Sequence, residues 1–370
     1  MTIATNRARR RIVPRGFTSE PLFLFLKNIK LDNPWTIFGI MCGLGFIDEI
    51  IVGWLSGYWL SRPGVVGVFD LNNIPPLIMS LVVEPGVWAF YIGFPAALFQ
   101  LFETFKEKHI FLTEQDTVQA QVNDLKRAES SWLLRSAALL GAIGIAFYAM
   151  LIIGEYDLVP WFYLGWHYWV RFVRIVGSAY VTVYAVAWSL LAFFTLHRVF
   201  SIAKVKVNPY DGDNAGGLRF VGKFILDVSR LTLIVLPFLL AETWFAIRLG
   251  RGIIGQFNLW IEITALPLLL ALMVFVPLTA CRRAMFAARD EFLAPLRDKI
   301  AQHIRATQDP LLTSKAQLDK TTALIDFQTK LRKEYPVWPF DMSMSQQIGL
   351  GFVLTLLPVI LNIIYQVSGP

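Results

Sequence analysis

The chain has 370 residues, of which 55% are hydrophobic and only 16% charged, with 29 Phe, 12 Trp and 11 Tyr and a net charge of +7. Soluble domains carry about 25% charged residues, so this composition excludes an ordinary water-soluble globule and a disordered chain, and it fits a protein solvated largely by lipid. Two cysteines, Cys42 and Cys281, and four scattered histidines exclude a disulfide framework and a Cys/His zinc module.

The N-terminal segment carries Arg7, Arg9, Arg10, Arg11 and Arg15 without an apolar run directly after them, so a cleaved signal peptide is not expected. A short apolar stretch at 21–29 is too short to cross a bilayer and is expected to lie in the interface. Stretches of about 20 or more mostly apolar residues, the length a spanning helix needs, follow near 35–60, 75–104, 132–153, 173–199, 224–249, 257–281 and 346–366. The predicted fold is therefore an all-α integral membrane protein, a bundle of about seven transmembrane helices.

Four regions emerge from this pattern: a basic N-terminus with its interfacial helix (1–34), a six-helix bundle (35–281) with polar loops 105–131 and 200–223, a polar helical hairpin (282–345), and a last span with its tail (346–370). In the hairpin, Phe292, Leu296, Ile300 and Ile304 recur every four residues, a helical apolar stripe. Asp309-Pro310 ends that pattern, and Leu318, Leu324, Ile325, Phe327 and Leu331 mark the second arm. Two helices alone bury little surface, so the hairpin is expected to pack on itself, to mediate homo-oligomerisation or to dock a soluble partner.

Lys and Arg sort by alternate segments. They crowd the N-terminus, the loop with Lys106, Lys108, Lys126 and Arg127, the loop with Lys204, Lys206 and Arg219, and the hairpin. The intervening loops hold few, among them Arg62, Arg171, Arg174, Arg248 and Arg251. By the positive-inside rule the N-terminus is cytoplasmic and the C-terminus outside, in the cell membrane or an inner membrane. The positive charge thus reports topology and contact with anionic headgroups of the lipid bilayer, and no nucleic-acid partner is expected. An aromatic run from Trp161 to Trp169 is expected to lie at the outer interface.

Ionisable groups at membrane depth are costly and usually face a protein interior or a water-filled cavity. Asp48 and Glu49 in the first span, Glu84 in the second and Glu242 in the fifth are the candidates for a pore or ion pathway, and few bases lie at matching depth. Glu84 is followed by Pro85 and Gly86. Proline removes a backbone donor and glycine loosens the turn, so a helix break is expected there. Asp227 and Arg230, three apart on one helix face, form a possible pair.

The polar loop before the fifth span contains Asp211, Asp213, Asn214, Gly216, Gly217 and Arg219. Its Asp-x-Asp run fails as a calcium loop, because Gly222 stands where a bidentate Glu belongs. A tight turn with a helix cap is the plainer reading, and a ligand or gating role is the sharper one. No catalytic motif, nucleotide loop or metal-ligand spacing occurs, so no enzyme activity, cofactor or metal is expected. The sequence favours an oligomeric ion channel or pore, preferentially for cations. Its alternative is a membrane scaffold or sensor docking a soluble partner through the hairpin.

Overall fold

The computed structural model describes residues 20–55, 57, 74–111, 115–155, 165–208, 213, 215–228, 236, 237, 240, 253–306, 315–339 and isolated positions between 345 and 364. These residues are overwhelmingly helical, and the one β-bridge among them joins Phe111 and Val205. In chain order the helices are α1 (Pro21–Asn28), α2 (Pro34–Leu55), α3 (Ile74–Ile78, Met79–Val83 and Glu84–Glu107), α4 (Gln115–Ser130), α5 (Trp132–Glu155), α6 (Gly165–Ile202), α7 (219–228), α8 (Ile253–Ala306) and α9 (Lys315–Glu334).

Four helical segments are long and apolar enough to cross a membrane, in α2, α3, α6 and α8, and α4 with α5 form a fifth candidate bent by 45°. The expected spans at 224–249 and 346–366 lie largely outside the described residues, as do Trp161 and the residues just after it. The described chain therefore carries four or five candidate spans where seven were expected.

Local chemistry sets the starts of the first helices. Pro21 and Pro34 occupy first-turn positions, where a missing N–H costs nothing. The Glu20 carboxylate accepts from Phe23 N at 2.6 Å, and the Asn33 amide oxygen accepts from Trp35 N at 2.9 Å.

α2 and α3 are interrupted by π-turns at Ile47–Ile51 and Met79–Val83. A π-turn inserts one extra residue and rotates the rest of the helix about its axis. In α2 the π-turn contains Asp48 and Glu49, neighbours in sequence and both buried. In α3 it falls just before Pro85, whose ring would clash with a carbonyl of the preceding turn in a regular helix. The expected break near Glu84-Pro85-Gly86 thus takes the form of a π-turn, with Glu84 the first residue of the regular helix beyond it.

The two π-turns adjoin the closest approach of α2 and α3. A Cβ added to Gly45 would sit against the Ser80 carbonyl oxygen, far inside van der Waals contact. On the other side, α6 packs against α3, α4, α5 and α8, and is the hub of the described bundle. α5 presents Ala138, Ala142 and Ala146 at four-residue spacing, all buried, the small-residue seam by which membrane helices approach closely.

The helices also fix a level. Pro34 touches Gly93 of α3. Tyr91 meets Tyr184, and the Tyr184 hydroxyl donates to the Glu129 carbonyl just before α5 begins. The first residues of α2 and α5 carry Trp35 and Trp132, which are 80% and 75% exposed, as expected of tryptophans at a bilayer interface. α2, at 22 residues, is about 33 Å long, matching a hydrocarbon core of about 30 Å. α3 and α6 run on past this level for about 20 Å and about 27 Å respectively.

Beyond the level they build an extension with α4, α7, α8 and α9. Its core is aromatic: Phe94 packs on Trp188 and Phe224, and Phe105 on Phe111, Phe200 and Phe220. The polar loop 105–131 thus holds α4, which packs on α6.

α8 continues without a break for 54 residues from the apolar region into the polar arm, and α9 folds back on it. The arm's buried side falls on Leu293 and Ile300, while Phe292 and Ile304 of the expected stripe are exposed. Phe292 instead packs beside the buried Tyr335 ring. Trp338 lies under the Arg282 guanidinium at 4.3 Å.

Gly45→Ala should destabilise the protein by about 1–3 kcal/mol through overpacking against Ser80, whereas Gly43→Ala, with open space around its Cβ position, should be neutral. Thermal unfolding of the two purified variants in detergent tests this.

Candidate functional site

Five ionisable side chains and one serine converge where α2, α3 and α6 meet. Arg171 Nη2 donates to Glu49 Oε1 at 2.5 Å, and its Nη1 lies 3.9 Å from Asp48 Oδ2. Arg174 Nη1 lies 2.6 Å from Asp48 Oδ2, its Nη2 3.5 Å from Glu49 Oε1 and its Nε 3.5 Å from Glu84 Oε2. Ser80 bridges the set: its hydroxyl donates to Glu49 Oε1 at 2.9 Å and accepts from Arg174 Nη2 at 2.9 Å. Glu49 is completely buried, and Asp48, Glu84, Arg171 and Ser80 are buried with it.

Glu49 lies 15 residues into α2 from Pro34, about 22 Å along the helix.

Burying such a set for stability alone is a poor strategy. The desolvation of ion pairs often cancels their attraction, and well-packed apolar residues do as well or better. Removing one partner, in contrast, strands an uncompensated charge and costs about 3–5 kcal/mol. The cluster is therefore chemically committed: it holds charge of both signs in a low-dielectric seam, and any rearrangement must move charges together.

Hydrogen-bonding groups continue from the cluster toward the interface level. Glu84, Trp88 and Tyr91 share one face of α3 at four- and three-residue spacing. Trp88 Nε1 donates to Ser178 Oγ of α6 at 3.2 Å. Tyr91 then donates to Glu20 Oε2, and Tyr180 donates to Glu20 Oε1 at 2.9 Å. Glu20 is buried, and its carboxylate at once caps α1 and ties it to α3 and α6. The short interfacial helix expected at 21–29 is thus fastened at its first turn, with Phe23 and Leu26 inward and Phe25 and Ile29 exposed.

Of the residues singled out in the sequence, Asp48, Glu49 and Glu84 come together here, with Pro85 and Gly86 buried beside them in the first turn of the regular part of α3. Glu242, Arg230, Asp211 and Asn214 lie outside the described residues, and Asp227 is exposed on α7.

Asp213, Gly216, Gly217 and Arg219 form a turn at the far end of the extension. Asp213 Oδ1 accepts from Ala215 N at 2.8 Å and Gly217 N at 3.0 Å, and its Oδ2 accepts from Arg219 N at 3.2 Å. The amides of Ala215, Gly217 and Arg219 are therefore satisfied within the loop. Gly216 and Gly217 have φ of +63° and +86°, a region that side chains disfavour, and a Cβ on Gly216 would strike Val207. Nearby, the Tyr335 hydroxyl donates to the Val207 carbonyl at 3.3 Å. Burial raises the pKa of Tyr335, against a smaller opposing effect of Arg289, so the hydroxyl stays a donor at neutral pH.

Sequence reasoning missed Arg171, Arg174, Ser80 and Glu20. The arginines read in sequence as the end of an outer loop, yet both lie inside α6 on one face. Their three-residue spacing in an otherwise apolar helix was the available signal. Among the described residues no group of His, Cys, Asp and Glu is arranged to hold a metal ion. No protein-family model, curated protein or solved structure matches the chain.

Arg171→Leu alone should cost about 3–5 kcal/mol because it removes the nearest charge partner of the buried Glu49, and adding Glu49→Leu should restore most of that loss. A double-mutant cycle by denaturant unfolding in mixed micelles measures the coupling; additive losses would show that the pair does not act as a unit.

Proposed function

We propose that this is an integral membrane protein that moves ions across the bilayer, of the oligomeric channel type and with cations as the favoured class. The observation that carries the reading is the Asp48–Glu49–Glu84–Arg171–Arg174 cluster, seated at two π-turns within the candidate spans. Charged groups at such depth are expensive, and π-turns are frequent at functional sites.

The cluster acts as a charged gate. Two guanidiniums bridge three carboxylates across three helices, so separating the helices exposes anionic groups to an entering cation. Carboxylates outnumber guanidiniums three to two among the described members of the cluster, which is the basis for the cation preference. The charge bias of the loops supports an orientation with the N-terminus cytoplasmic and the C-terminus outside, in the cell membrane or an inner membrane.

A second reading is favoured by one observation. Leu318, Ile325 and Phe327 of α9 are exposed on a polar arm that extends beyond the apolar region, as they would be on a scaffold that docks a soluble protein. Ile325→Asp with Phe327→Asp should then release a co-purifying partner without changing ion flux.

The main reading is tested by reconstituting the full chain in liposomes and recording ionic current. The protein should conduct cations, and Arg174→Gln should raise the basal leak and alter selectivity by several-fold. A bilayer as tight with protein as without it, for both cations and anions, would sink the proposal.

A further inference from the structure

The cluster treats its three carboxylates unequally. Asp48 and Glu49 each have a guanidinium nitrogen within hydrogen-bonding distance, at 2.6 and 2.5 Å, whereas Glu84 is reached at 3.5 Å by Arg174 Nε. Each carboxylate has one buried oxygen that makes no hydrogen bond, Asp48 Oδ2, Glu49 Oε2 and Glu84 Oε2, so the longer distance to the nearest guanidinium nitrogen is what sets Glu84 apart. An ionised carboxylate offers only acceptors, and a protonated one gains a donor. A buried anionic oxygen without a donor carries its full desolvation cost. Glu84 is therefore the member of the cluster least committed to remaining charged.

We infer that Glu84 is a proton-binding site, and that the proton is the ion this protein moves or couples to. This inference rests on the ion-translocation reading and names the species. A proton fits better than a chelated cation, because the carboxylates are not arranged as a metal-ligand set. The groups facing Glu84 are Asp48 and Glu49 from α2, Arg171 and Arg174 from α6, and Ser80 from its own helix. When Glu84 holds a proton, Arg174 serves Asp48 and Glu49. When Glu84 is ionised, Arg174 is shared among three carboxylates, and α6 is drawn toward α3. The proton comes from water on one side as hydronium and returns to water on the other, so no co-reactant is consumed.

An onward station exists. Glu20 is buried one to two turns along the same seam, against Tyr91, which lies seven residues from Glu84 and about 10 Å away along α3. Hydroxyls of Tyr91 and Tyr180 on that carboxylate are groups that both donate and accept.

The test uses the full chain in liposomes containing a pH-sensitive dye, with a potassium diffusion potential as the driving force and potassium or sodium flux followed in parallel. The wild-type protein should acidify the lumen, Glu84→Gln should slow this at least tenfold, and Glu84→Asp should retain it with a shifted pH dependence. Equal proton rates in wild type and Glu84→Gln would overturn the inference. Cation flux without proton flux would overturn it while leaving the ion-translocation reading intact, and the absence of all flux would overturn both. Infrared difference spectra between acidic and alkaline buffer give a readout that does not require transport. A protonated-carboxyl band should be present in wild type and lost in Glu84→Gln, and a band unchanged in that variant would reject Glu84 as the site.

Discussion

Charge in a low-dielectric helix bundle must be met by opposite charge at bonding distance, and the architecture around α6 is organised by that constraint. Arg171 and Arg174 extend from one face of α6, and the carboxylates that satisfy them come from two other helices. Those carboxylates can reach only if α2 and α3 are nearly in contact. The absence of a side chain at Gly45 permits this, and the Ser80 hydroxyl fills the remaining space as a bridge. Two π-turns complete the fit. The π-turn in α2 contains Asp48 and Glu49, and the one in α3 ends at the residue before Glu84.

The same helices divide their length between two environments. Above the level of Pro34, Gly93 and Tyr184, they carry exposed apolar side chains, among them Ile40, Leu44 and Phe46 of α2, Val82 of α3 and Val173 of α6. Below it, α3 and α6 continue into an extension where aromatic rings pack on one another, while α6 still exposes Phe194 and Ile202. The Glu20 carboxylate stands at the boundary and joins the two, capping α1 while accepting from tyrosines of α3 and α6. Side-chain chemistry thus closes the seam at both ends, with ion pairs near one face and tyrosine–carboxylate bonds near the other.

Much of the helical content was legible in the sequence, because long apolar runs and basic polar segments are robust signals. The depth of individual helices was not. The stretch at 75–104 reads as one span and is a candidate span in the structure, and from Phe94 onward its apolar side chains also pack on α6 and α7. Hydropathy cannot separate these two ways of leaving water. The acidic half of the cluster was visible, since Asp48, Glu49 and Glu84 interrupt apolar runs. The basic half was not, because Arg171 and Arg174 follow an aromatic segment that resembles a loop. The π-turns leave no local mark beyond Pro85, since a single inserted residue changes no composition. Asp213 stands out in sequence through a motif it does not complete; its carboxylate instead satisfies three backbone amides of its own turn.

The unbroken length of α8 has a mechanical consequence. Fifty-four residues make a rod of about 80 Å, pressed against α6 along part of its length and bearing α9 on its polar arm. Such a rod is a lever. Pivoted near its apolar end, a tilt of about 5° would carry the far tip about 7 Å sideways on that length, a displacement as large as a helix turn. Force applied to the polar arm, from a second copy or from a soluble protein, would reach α6 through rigid backbone. α6 carries both arginines of the cluster.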